Sequence, residues 1–237
     1  MAETSVTHED RRPGWTGHLH TMFSAIAWCA WLNAMWLAFT LLGGVLLGAG
    51  PATVAACVLA RRRMRGESIH FGDFASVWRR EFVRGSIVVL PVLAAVVLLY
   101  TNYVYFSALG PQASGARLVT LAALVLALGA GSYVAPMFAH YDLRLRQYLP
   151  KAMRFALGRP VSTIILLFIL TAFAFASAVM PVLLAVVTFG GWWQTSTWLC
   201  VRFFQENEDR LAGSAAPDLA RQPSLPAGFP AEPLRIR

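Results

Sequence analysis

Four stretches of the chain contain no Asp, Glu, Lys or Arg: residues 13–60, 85–116, 118–141 and 160–201. Each is apolar almost throughout. As a helix the first would measure about 72 Å and the last about 63 Å, against a hydrocarbon core of about 30 Å. Neither length suits one crossing, so each predicts a hairpin. In the first, a span from about Met22 to Leu47 leads to a tight turn at Gly48-Ala49-Gly50-Pro51 and a short returning helix as far as Met64. The glycines favour a turn there, and Pro51 suits a first helical position. In the last, a span from Pro160 to about Thr188, bent at Pro181, leads to a turn at Gly190-Gly191. A short helix then runs from Trp192 to Gln205, with Trp192 and Trp193 at the outer interface. A turn at Pro181 itself is the alternative. The middle stretches predict single spans, Ser86–Phe106 with a belt of Tyr100, Tyr103 and Tyr105, and Leu118–His140.

Two polar segments separate these runs. In the first, Phe71, Phe74, Ala75, Trp78 and Phe82 recur at helical spacing, with Asp73, Arg80 and Arg84 turned elsewhere. The second carries Asp142, Arg144, Arg146, Lys151, Arg154 and Arg159, with Pro150 opening a short helix. The pattern as a whole predicts an all-α, polytopic transmembrane helix bundle of five to six membrane segments with two short cytoplasmic amphipathic helices. Residues 1–20 form a polar N-terminal tail, 21–205 the transmembrane helical domain, and 206–237, with five prolines, a disordered C-terminal tail. The two halves repeat weakly, each placing an Arg-rich amphipathic stretch before a span.

Composition strengthens the membrane reading. Hydrophobic residues are 57% of the 237 and charged residues 14%, against roughly 45–50% and 25% in soluble proteins. At 14% charged, residues 13–60 would hold several charges and hold none. A charge at mid-bilayer costs about 2.5–3.5 kcal/mol, whereas a soluble surface has no reason to exclude it. The net charge of +8 belongs to the ends of apolar runs, which argues against nucleic acid as a partner. Segment 61–85 holds seven Arg or Lys and segment 144–159 five, against one in 107–117. The positive-inside rule therefore puts both basic loops in the cytoplasm, anchored by Arg61, Arg62, Arg63 and Arg65. Six crossings put both termini there too; a Pro51 helix that merely continues the first span puts the N-terminus outside. The apolar run after residue 20 is too long for a signal peptide's hydrophobic region.

Candidate chemistry is sparse. Lys151, the only lysine, lies in Pro150-Lys151-Ala152, so no Walker A loop exists. There is no His-Glu-x-x-His and no Cys-x-x-Cys, and Cys29, Cys57 and Cys200 lie in apolar runs without metal-ligand spacing. Gly48-x-Gly50 and Gly129-x-Gly131 lack the third glycine of a dinucleotide fingerprint. No catalytic residue, cofactor or metal is expected, and the chain does not read as an enzyme. Gly44 and Gly48 form a small-xxx-small pattern suited to helix packing. Asn33, in mid-span, requires an interhelical hydrogen bond, and Thr195, Ser196 and Thr197 can bond back to helix carbonyls. His140 and Asp142, two positions apart, splay at a helix end.

The interaction candidates are Phe71, Phe74, Trp78 and Phe82, which either lie in the lipid interface or dock on a partner. Gly50-Pro51-Ala52-Thr53-x-Ala55, then Arg65-Gly66-Glu67, then Phe71-x-x-Phe74-x-x-x-Trp78 resembles the YesL-type family of small bacterial multi-pass membrane proteins of unknown function. The resemblance is strongest over residues 22–90. Glu81 stands where that family is expected to carry Asn, and Gly190-Gly191 replaces a second Gly-Pro turn. The resemblance transfers no catalytic residue. It implies a place in the bacterial cytoplasmic membrane and an accessory or regulatory role beside carbohydrate uptake, with the lipid bilayer and a membrane transport complex as partners. The alternative is a small stand-alone transporter or channel, supported by the weak repeat and by two short Gly/Pro-interrupted helices.

Overall fold

Glycine and proline set where this chain turns and where it packs, though not always in the way their spacing suggests. A computed structural model describes the backbone of residues 15–221 and the side chains of residues 19–209. All regular structure among the described residues is helical: α1 Trp15–Leu42, α2 Leu46–Met64, α3 Phe71–Arg80, α4 Phe82–Ala108, α5 Ser114–His140, α6 Leu145–Gly158, α7 Pro160–Val179 and α8 Phe189–Arg221. A 3-10 turn, Pro111–Ala113, precedes α5, and a π turn, Leu184–Thr188, precedes α8. The chain divides after Val201 into two compact units, with Arg202–Arg221 the described part of the second. Leu19–Leu42, Phe82–Ala108, Pro111–His140 and Pro160–Val179 are long and apolar enough to cross a membrane. The two expected amphipathic helices are α3 and α6, which bury Phe74 and Val77, and Tyr148, Ala152 and Ala156.

The first turn is not at Gly50-Pro51. α1 ends in a Schellman motif: Val45 N donates to Thr40 O at 2.9 Å and Gly44 N to Leu41 O at 3.0 Å. Gly44 takes the left-handed conformation this motif requires, φ 74°. Val45 follows at φ 47°, an unusual conformation for a β-branched residue. Gly44 thus belongs to the turn and is not a helix-packing position; Gly43 is the glycine that packs on Gly48. Trp36 with Thr53, and Trp28 with Arg63, pair symmetrically about this turn, so α1 and α2 are antiparallel.

Gly50 and Pro51 lie inside α2, and their spacing serves a helix contact. A Cβ on Gly50 would stand 2.8 Å from the Ser86 Cα, and one on Gly85 3.1 Å from the Pro51 Cα. α2 and α4 therefore meet backbone to backbone. Pro51 has no N–H to give to the carbonyl four residues earlier. That carbonyl, Leu47 O, lies 3.1 Å from Ser86 Oγ, whose single proton it shares with Phe82 O at 2.7 Å. The same contacts place the tip of the α1–α2 hairpin: Gly43 lies against the Trp78 ring and Leu47 against Ser86. From Ser86, α4 runs on to Ala108, about 33 Å at helical rise. The tip thus lies beside the beginning of α4, far from its other end.

α4 and α5 form a second antiparallel hairpin through Gly110, φ 79°, with Val92 against Gly131 and Arg84 over Phe138 at 5.7 Å. At the far end of the chain the turn is at Pro181, the alternative rather than the first expectation. Leu183 N and Leu184 N donate to Met180 O and Pro181 O. Gly190 and Gly191 lie inside α8, pressed on Cys29 and Asn33 of α1 and on Phe173 of α7. Trp192 is accordingly buried at 6% exposure, not displayed at an outer interface. Asn33 locks this junction. Its Nδ2 donates to Ala185 O at 2.6 Å, and its Oδ1 accepts from Phe189 N at 2.8 Å and Gly190 N at 3.1 Å. One amide thus satisfies the open start of α8 and a carbonyl of the π turn.

The expected tail boundaries also move. α1 already begins at Trp15, and the backbone expected to be disordered from Glu206 is helical through Arg221. The reason is local: Glu, Arg, Leu and Ala dominate residues 206–216, and four of the five prolines come after Arg221. Residues 1–14 and 222–237, where the rest of both tails was expected, lie outside the described residues.

Candidate functional site

The aromatic stripe on α3 divides between interior and surface. His70 N donates to Asp73 Oδ2 at 2.7 Å, closing a capping box that starts the helix. Phe74 is fully buried among Ala52, Ala55, Ala56 and Leu59 of α2 and Phe39 of α1. The Phe39 ring lies 5.0 Å from that of Phe74 and 5.4 Å from that of Trp78; Trp78 meets Phe82 edge-on at 4.9 Å. Phe74 is therefore a core residue of the first hairpin and Trp78 packs half-buried against that core, so the two do not form a face free for a partner. The alanines of α2 leave a groove that only a large ring fills, a relation between distant positions that spacing along α3 cannot reveal. Phe71, 59% exposed, is the open member of the stripe, while Trp78 and Phe82 are half-buried.

The four arginine anchors also make specific contacts. Arg61 Nη1 donates to Ala139 O at 2.7 Å, capping the end of α5. Arg63 lies 4.5 Å over the Trp28 ring and reaches Ser24. Arg65 Nε pairs with Glu67 at 2.6 Å, and Arg62 Nε approaches the same carboxylate at 3.9 Å. Because α2 and α5 end together and α4 and α7 begin there, Arg61, Arg84 and Arg159 gather at one end of the first unit with both amphipathic helices.

That end contains a polar cavity of about 530 Å³ between α2, α4, α5 and α6. Its buried acid is Glu81, at the junction of α3 and α4 with a side chain only 10% exposed. Arg80 Nε donates to Glu81 Oε1 at 2.9 Å. Arg84 Nη1 is 3.8 Å from Oε2, while Arg84 Nη2 bonds Asp142 at 3.2 Å. Glu81 Oε2 receives no hydrogen bond. Opposite, Tyr148 Oη donates to Tyr141 O at 2.8 Å and accepts from Leu143 N at 3.0 Å, tying α6 to the end of α5. Burial raises the Tyr148 phenol above its ordinary pKa, while the Leu143 amide pulls the other way. His140 lines the same cavity, so it and Asp142 share a site. Two arginines offset two carboxylates here, and the open valence is the acceptor Oε2, suited to a donor from water or a ligand. Among the described residues no group of three His, Cys, Asp or Glu could hold a metal ion.

Sequence reasoning noted Glu81 only as a departure from an expected Asn. The sharper signal was an acid set between Arg80 and Arg84 at the start of an apolar run, where an unpaired carboxylate would be costly.

Residues 29–103 match the family described as protein of unknown function DUF624. The chain is 39% identical to the uncharacterised protein YesV of Bacillus subtilis (strain 168) over 151 residues, 62% of this chain and 73% of YesV. It belongs to the DUF624 family. A second relative is the uncharacterised protein YesL of the same organism, 30% identical over 143 residues, 58% of this chain and 66% of YesL. YteU, also of that organism, is 25% identical over 175 residues, 70% of this chain and 77% of YteU. No solved structure matches. The DUF624 segment takes in the second half of α1, all of α2 and α3, and most of α4, hence the turn of the first hairpin, Phe74, Trp78 and Glu81. Asp142 and Tyr148, which close the cavity, lie beyond it.

Proposed function

We propose that this chain is a non-catalytic accessory subunit of a carbohydrate-uptake system in the bacterial cytoplasmic membrane, acting through its basic end. The observation that carries the reading is the gathering of Arg61, Arg80, Arg84 and Arg159 with α3 and α6 at one end of the first unit. Charge bias of this kind supports a cytoplasmic position for that end, where a transport complex would present its regulatory surfaces. The carbohydrate link rests on the YesL-type resemblance. In this reading α4, α5 and α7 cross the membrane. The α1–α2 hairpin enters and leaves on the cytoplasmic side, because its tip meets the start of α4, and α8 returns toward the cytoplasm after Pro181.

The interior favours an accessory over a carrier. The cavity between α1, α2, α4, α5 and α8 is apolar and aromatic, with the Thr53 and Ser132 hydroxyls already engaged by Trp36 Nε1 and Leu128 O. The carrier reading keeps one supporting observation, the recurrence of an amphipathic helix followed by a span in α3–α4 and α6–α7. Uptake of a panel of radiolabelled oligosaccharides, in native cells with and without the gene and in liposomes of purified protein, separates the two. The proposal expects uptake of at least one sugar to fall on deletion and recover on complementation while the liposomes stay inert. Transport by the liposomes alone would make the protein a carrier.

A further inference from the structure

The apolar interior cavity has a use of its own. It encloses about 270 Å³, bounded by Trp36, Thr53, Leu93, Gly131, Ala135 and Trp192. Its lining is almost wholly hydrocarbon and indole, with the Thr53 and Ser132 hydroxyls its main polar groups, so it returns little of the hydrogen bonding a polar solute loses on leaving water. Its walls are stiff, since the Trp36 ring stacks on Phe189 at 4.2 Å, so the space does not close by a rotamer change. Left empty, it would deprive those rings of dispersion partners on one side. Leu93 is both a lining residue and 36% exposed on α4, the helix whose Val97 and Leu98 are 56% and 63% exposed. The cavity therefore opens on an apolar face of one of the helices fit to cross a membrane. Its volume falls below the roughly 300–1,000 Å³ of drug-sized sites, enough for a chain segment but not for a headgroup.

We infer that this cavity is a binding site for an acyl chain of a bilayer phospholipid, which enters past Leu93 and reaches the buried wall of α5. The full-length protein in liposomes containing a phospholipid with a mid-chain diazirine tests this. After photolysis the inference expects adducts on Ser132, Val134 and Ala135, which are only 5%, 2% and 3% exposed, as well as on lipid-facing Val97. Ala135→Leu, which fills the cavity, should lower the adducts on residues 132–134 by about tenfold while leaving Val97 labelled. Ala127→Leu on the same wall serves the same purpose should the first variant fail to fold. Labelling confined to Val97, or labelling of 132–134 that survives both substitutions, overturns the inference. So does labelling of 132–134 by a free diazirine-bearing alkane in unlabelled liposomes when the phospholipid probe leaves them untouched, because the site would then take a free apolar solute.

Discussion

α2 and α4 are both apolar helices and both carry an internal proline, but α2 is buried over most of its length and α4 only near its start. α2 hides Gly48, Gly50, Pro51 and the Ala52–Cys57 run, small side chains that let other helices approach its backbone. α4 buries Gly85, Ser86 and Val88 near its start and leaves Val83, Ile87, Val97, Leu98 and Val104 exposed. Lipid is as apolar as leucine, so large aliphatic side chains lose little by facing it. Close packing and backbone contact instead reward glycine, alanine and serine. Between these two helices size, more than hydrophobicity, marks the buried one, and α2 lets its neighbours close in because its buried residues are mostly small.

The contrast can be broken at specific positions. Phe74→Ala removes a fully buried ring from the cluster built on the alanines of α2. The expected loss is about 3–5 kcal/mol, read as a collapse in monodisperse yield from mild detergent, whereas exposed Phe71→Ala should leave that yield near the parent's. Gly50→Ala puts a methyl against the Ser86 backbone and should cost about 1–3 kcal/mol in thermal unfolding. Gly115→Ala, where a Cβ would meet nothing within 4 Å, should be neutral or stabilising by up to about 1 kcal/mol. Equal effects of the two would mean that α2 and α4 do not meet at Gly50. Asn33→Ala strands the Phe189 and Gly190 amides and should cost about 1–3 kcal/mol, with increased hydrogen exchange confined to the start of α8. At the lower end, Val97→Ala on lipid-facing α4 should change stability by less than about 0.5 kcal/mol; a loss as large as that of Phe74→Ala would remove the distinction between the two helices.

What could be read along the chain follows the same division. Charge-free runs and basic loops are properties of single positions and their neighbours, so the apolar helices, α3 and α6 were legible. The places where helices touch are not. Gly43-Gly44 and Gly48-Gly50 look equally fit for a turn. The choice falls to the first pair because a Schellman motif closes there, and to the second for packing because the Ser86 hydroxyl shares its proton with the Leu47 carbonyl, to which Pro51 gives none. Phe74 and Trp78 looked like an open stripe because a ring facing lipid, a partner or a bed of alanines produces the same spacing. Glu81 was visible as an oddity, but its cavity is completed by Asp142 and Tyr148, some sixty residues on.

The account depends on the arginine-rich end lying in the cytoplasm. In a background with Cys29, Cys57 and Cys200 replaced, single cysteines at Ser68, between α2 and α3, and at Ser114, beside the α4–α5 turn, report it directly with a membrane-impermeant thiol reagent. The account predicts labelling at Ser114 in intact cells and at Ser68 only after lysis; labelling at Ser68 in intact cells with Ser114 protected until lysis would contradict it.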